Sequence, residues 1–191
     1  MTGHPKGAPM ISTVLAENPP LVRSLLVFAT VVAVVVAASL AAGGRSGRLL
    51  AVGLSLGGIG VVGVLTLSPV GSGGPRQPAC NVEPYNWFGD TPNVALFLLP
   101  AIFLVVATRS AALVAVLGPV GSAAVELAQY AFPELGRRCD VDDLLANSGG
   151  AVAGALMGAV ILWSVRLAHR RSPVADASPR SGTPSPIPEY R

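Results

Sequence analysis

Glu126 is the residue whose position most demands a chemical explanation. It sits inside an otherwise uncharged apolar run, 111–132, roughly 9 Å below the run's end at ~1.5 Å per helical residue. A carboxylate deep in a membrane span costs roughly 2.5–3.5 kcal/mol to insert. Such a group faces a partner or a wet cavity. Ser122, Gln129 and Tyr130 accompany it at helical spacings, forming one polar stripe. In the next apolar run, Asn147 follows Asp143 by one turn, roughly 6 Å below the entry point. The connecting segment GRRCDVDD adds Arg137, Arg138, Asp140 and Asp142, and Asn93 opens another apolar run at the same level. Acids, amides and guanidinium groups from three helices are thus expected to converge at one depth. Arg137 offers a fork of donors to phosphate. Asn147 and Gln129 supply neutral donors and acceptors, and the acids have the hard oxygens a divalent cation takes.

The rest of the inventory narrows the chemistry. The two histidines, His4 and His169, and the single lysine, Lys6, fall in expected tails. A phosphohistidine, a His-based metal cage, a Ser–His couple and a Lys base in the bundle are therefore excluded. Acid–base work by Asp and Glu alone survives. Neither a metal centre nor a cofactor is expected, and catalysis is left open with the balance against an enzyme.

The elements that position these residues follow from composition. Hydrophobic residues make up 51% of the 191 and charged residues 12%, about half of the ~25% usual in soluble domains. The charges lie between, beside or beyond long apolar runs at 25–42, 49–67, 94–107, 111–132 and 144–165, with Glu126 the exception. A bilayer core needs ~17–25 helical residues, so four runs pass on length and the third is marginal. The expectation is an all-α polytopic membrane bundle of five spans, or four if the third run does not cross. The first run exceeds a ~7–15-residue signal-peptide core and has Arg45 and Arg48 beyond it, so a retained helix is expected. Residues 1–20 and 168–191, rich in Pro, Ser or both, read as disordered tails flanking a membrane domain over 21–167. A net charge of +3 from scattered Arg forms no basic patch, which excludes nucleic acid as a partner.

With five spans, eight of the 13 Lys and Arg fall on the side of the C-terminus. The positive-inside rule then places the N-terminus outside and the C-terminus in the cytoplasm, and the plasma membrane is the expected location. The two cysteines, Cys80 and Cys139, occupy the two outward loops, where an oxidising environment favours a disulfide. Gly150, Gly154 and Gly158 form a small-residue face expected to pack on another helix at its cytoplasmic half. Gly53, Gly57, Gly60 and Gly63 in the second span are also expected to serve close packing. Tyr85, Trp87 and Phe88 read as interfacial anchors.

Glu126-x-x-Gln129, followed by Gly136-Arg137-x-x-Asp140-x-x-Asp143-x-x-x-Asn147-x-x-Gly150-x-x-x-Gly154, resembles the signature of the VanZ-like membrane proteins. Asn93 with Phe97 resembles an upstream element of that family. Its Pro-x-Gly is altered here, since Pro100 comes one residue late and no Gly follows. The resemblance implies Asn93, Glu126, Gln129, Arg137, Asp140, Asp143 and Asn147 as the site. It also implies a link to low-level resistance to the glycopeptide teicoplanin, a phenotype whose transfer rests on analogy.

Three readings fit these residues. In the first, an outward polar cluster binds or modulates a lipid-linked or cell-wall precursor, with membrane lipids as the other partner. In the second, a membrane hydrolase or transferase acts on a lipid-linked phosphate through Asp/Glu chemistry. In the third, the same charges form an internal lattice that only fixes the bundle.

Overall fold

The computed structural model describes residues 18–69, 80–83 and 91–171. Five helices are long and apolar enough to cross a membrane: α1 (Pro19–Ala42), α2 (Gly44–Leu67), α3 (Thr91–Thr108), α4 (Ala111–Ala131) and α5 (Val141–Arg171). The third run therefore forms a spanning helix. Two features complete the described chain: a short 3-10 turn, Pro133–Leu135, and two-residue strands β1 (Cys80–Asn81) and β2 (Cys139–Asp140), paired in parallel. The bundle is all-α apart from this one small ladder.

α3 is the central helix. Ala95, Phe97, Ala101, Ile102, Val105, Val106 and Ala107 are buried along it, which accounts for its short apolar run: flanked by other helices, it meets little lipid. The outer helices turn large apolar side chains such as Phe28, Val64, Leu127 and Leu156 outward. In water such a surface would be an aggregation hazard; in hydrocarbon it is the expected one.

Glycine decides how closely α5 approaches α3. A Cβ on Gly150 would meet the Val94 carbonyl, one on Gly154 the Leu98 carbonyl, and one on Gly158 the Val105 side chain. This close packing is not confined to one half of the bundle as expected. It starts at Val94, in the first turn of α3, because all three glycines share one face at four-residue spacing. The expectation for α2 needs a larger correction. Gly53, Gly57, Gly60 and Gly63 have nothing within 4 Å of an added Cβ, whereas Gly58 sits against Pro100. The face of α2 that meets the bundle carries the buried Ala51, Ser55, Val62 and Thr66, and Gly53, Gly57 and Gly60 lie off it.

One end of the bundle is closed by tight turns. Gly43 alone separates α1 from α2, and Gly44 adopts φ +61°, which glycine enters without steric cost. Arg109 and Ser110 separate α3 from α4, and the Ser110 hydroxyl caps α4 by accepting from the Leu113 N–H at 3.2 Å. Arginines satisfy helix-terminal carbonyls here: Arg48 Nε donates to Ala107 O at 2.7 Å, and Arg109 Nη2 to Ala41 O at 3.4 Å.

Both expected tails lie mostly outside the described residues, but their inner edges differ from expectation. α1 begins at Pro19, since proline suits a first helical turn that needs no donor. α5 continues through His169, Arg170 and Arg171, where cations favour the negative end of the helix dipole. Tyr85, Trp87 and Phe88 also lie outside the described residues.

Candidate functional site

The other end of the bundle carries the disulfide and the charged loop. α4 ends where the Phe132 N–H bonds to Ala128 O at 2.9 Å. The chain turns through Pro133–Leu135, and Gly136 reverses it at φ +67°. β2 then runs beside β1 with Cys139 opposite Cys80 and Asp140 opposite Asn81. Cys80 and Cys139 are joined by a disulfide, their Cα atoms 4.4 Å apart. Two loops far apart in sequence are thereby held over the helix ends.

That placement brings a backbone donor to the buried acid. The Asp140 N–H donates to Glu126 Oε2 at 2.7 Å. The Asp140 carboxylate accepts from the Asp142 N–H at 2.9 Å, in the manner of a helix N-cap for α5, and from Asn81 Nδ2 at 3.3 Å. Asp143 and Asp140 are near enough to act on Glu126 as like charges. Asn93 Nδ2, in the first turn of α3, donates to Asp143 Oδ1 at 2.6 Å. Ser122 Oγ faces Leu144 O at 3.5 Å, so the Ser122–Glu126 face of α4 lies against the first turns of α5.

Two more residues of the signature bond to α2. Gln129 Nε2 donates to Thr66 O at 3.0 Å. Arg137 donates through Nη2 to Leu65 O at 2.8 Å and through Nε to Ser68 O at 3.2 Å, satisfying carbonyls at the end of α2. Its fork, expected on phosphate, is thus held by the protein's own backbone. Tyr130 also departs from expectation: it is exposed, while Ser122, Glu126 and Gln129 are buried. At 3.6 residues per turn Gln129 lies about 20° around the helix from Ser122 and Tyr130 about 80°.

Asn147 stands apart from this satisfied network. It is 2% exposed, and its Oδ1 is buried without a hydrogen-bond partner. Buried polar atoms in this condition are few in native proteins.

All seven signature residues, Asn93, Glu126, Gln129, Arg137, Asp140, Asp143 and Asn147, thus lie at the disulfide end, but their bonds run largely to one another and to the backbone. Arg138, named in the sequence as part of the GRRCDVDD loop but not among the expected site residues, also lies here. It is exposed, and the side-chain hydrogen bonds of this loop among the described residues run through Arg137, Asp140 and Asp142 instead. With Cys80, Asn81 and Asp140 it lines a polar depression of about 550 Å³. Its sequence signal was its place in the charged GRRCDVDD loop, beside Arg137. Among the described residues, no group of three or more His, Cys, Asp or Glu is placed to hold a metal ion.

Five apolar helices of spanning length, closed at one end by a partly buried polar cluster, define a multi-pass helical membrane protein. The profile of the VanZ/LLP1 family matches residues 61–163, more than half of the chain and the whole polar cluster, and the chain belongs to that family. No curated protein and no solved structure matches it.

Proposed function

We propose that this VanZ/LLP1 protein resides in the plasma membrane and binds the phosphate-bearing head of a lipid-linked envelope ligand at its disulfide end. That end faces outward and the C-terminus lies in the cytoplasm. The observation that carries the reading is the depression at the rim. Arg138 offers an uncommitted guanidinium to phosphate, and the Asp140 carboxylate beside it accepts from hydroxyl or amine donors. A phosphate linked to a sugar or amine carries both kinds of group. Orientation is supported by the Lys and Arg bias, eight of 13 on the opposite side, and by a disulfide at the proposed outer face. Holding such a ligand alters the access of a lipophilic glycopeptide to its target, which is the proposed route to teicoplanin resistance.

The test is binding of a polyprenyl monophosphate to the detergent-purified full chain, followed by native mass spectrometry. Arg138→Ala is expected to weaken binding about tenfold, the equivalent of ~1.4 kcal/mol, with unchanged melting. Equal binding by wild type and variant, or none by wild type, overturns the reading. Fusions of a periplasm-active and a cytoplasm-active reporter after residue 171 test the orientation.

A second reading has its own support. Asn93, Glu126, Gln129 and Arg137 each bond within the protein, as a staple fixing loop to bundle requires. Under that reading Arg138→Ala changes neither binding nor drug sensitivity, while Glu126→Ala lowers stability alone. Asp/Glu hydrolysis has no comparable support, because Glu126 is engaged by the Asp140 N–H.

A further inference from the structure

Below the polar cluster lies a cavity of about 290 Å³, walled by α2, α3 and α4 and backed by Ala151 of α5. Every side chain lining it is apolar, including Ile59, Val62, Phe97, Leu117 and Val125. Ile59 and Leu117 are each 47% exposed, so the cavity opens sideways between α2 and α4 onto the lipid.

Its upper limit has a regular construction. One helical turn toward the disulfide end from Val62 is Thr66; from Phe97, Asn93; from Val125, Gln129; and from Ala151, Asn147. Four helices therefore change from apolar wall to polar roof at one level. The Gln129–Thr66 bond ties α4 to α2 across that roof. Along α4 the wall runs from Val114 to Val125, about 16 Å at 1.5 Å per residue. That length is about half of a ~30 Å hydrocarbon core, the depth of one leaflet.

We propose that this cavity binds a single hydrocarbon chain of a phosphate-bearing lipid, the chain running down between α2 and α4 and the head lying at the polar end. The inference rests on the envelope-lipid reading for its head group and adds the place of the chain. A water-filled cavity with these walls is unfavourable. Burial from water supplies no drive at this depth, since lipid tails are already apolar. What the cavity offers is contact on three sides, and dispersion summed over many atoms is what selects a chain there. The roof sets its orientation, because a head group cannot pass downward into the apolar part without losing its hydrogen bonds.

The walls allow a clean test. Gly63 and Gly121 line the cavity, and an added Cβ on either meets nothing within 4 Å. Gly121→Leu therefore fills the space without striking a neighbour at Cβ. The probe is hexadecyl phosphate carrying a mid-chain diazirine, photolysed with the full chain in phosphatidylcholine nanodiscs and mapped by peptide mass spectrometry. Cross-links are expected at Ile59, Val62, Phe97 or Val125, competed by unlabelled hexadecyl phosphate and lost in Gly121→Leu and Gly63→Leu. Labelling as strong at the lipid-facing Leu54 and Leu127, without competition, overturns the proposal. So does full labelling in both filled variants. Loss of labelling in Arg138→Ala alone upholds the head-group reading and overturns the chain site. Loss in the filled variants alone upholds the chain site and overturns the rim.

Discussion

Glu126 reaches out of α4 to the backbone of Asp140, whose N–H lies 2.7 Å from its Oε2. A side chain that costs the span free energy thereby fixes the loop that closes the bundle. Hydrogen bonds to charged groups contribute ~1.5–3 kcal/mol. Glu126→Ala is expected to lower stability by about that amount in thermal or SDS unfolding of the detergent-solubilised protein. Glu126→Gln, which keeps an acceptor for the Asp140 N–H, should lose less. Wild-type melting of the alanine variant would show that the bond fixes nothing.

Arg137 and Arg138 are adjacent but do different work. Arg137 serves two carbonyls, Leu65 in the last turn of α2 and Ser68 just beyond it, through two different nitrogens, Nη2 and Nε. Lysine has no such fork. Arg137→Lys should therefore melt nearly as early as Arg137→Ala, about 1 kcal/mol below wild type. Arg138→Ala should melt with the wild type. Full rescue by lysine would mean that only the charge matters.

The glycines separate into two classes by what a methyl group would strike. At Gly150 the obstacle is the Val94 backbone, which cannot swing aside like a side chain. Gly150→Ala is expected to cost ~1–3 kcal/mol, the usual range for overpacking. Gly57 meets nothing within 4 Å, so Gly57→Ala should be neutral or stabilising by up to ~1 kcal/mol through helix propensity. The comparison is one of melting temperatures, and a reversed order would contradict the α3–α5 contact.

The disulfide joins residues 59 apart. Chain-entropy reasoning sets a ceiling of ~4 kcal/mol on its contribution, and the value in lipid should fall below it because the spanning helices persist on unfolding. Alkylation without reductant should label neither Cys80 nor Cys139, and reduction should expose both. In Cys80→Ser the loop bearing Asp140 loses its tether, so proteolysis near Arg137–Arg138 should accelerate. Labelling of both thiols in the unreduced protein would rule the bridge out.

The spans and the polar depth were legible because both depend on local pattern. An apolar run of sufficient length specifies a helix in lipid, and position along a helix gives depth directly. Ser122, Glu126 and Gln129 share a face for the same reason, and Tyr130 drops out only when the angles are counted. Partners that depend on tertiary approach were not legible. Arg137 meets the Leu65 carbonyl 72 residues away, and a backbone acceptor leaves no mark in the sequence. The β1–β2 ladder is two residues long, too short for any alternation to register. The cavity depends on where α2 and α4 rest against α3, which no single helix encodes.

The turns at the opposite end limit how this molecule can change shape. One residue separates α1 from α2 and two separate α3 from α4, while Arg48 and Arg109 tie one turn to the other, so these four helices are held together at that end. Any rearrangement that widens the gap between α2 and α4 must splay the bundle from the disulfide end, like tongs pivoting at their joined base, and the Cys80–Cys139 link, the Gln129 bond and the two Arg137 bonds are catches that would have to yield.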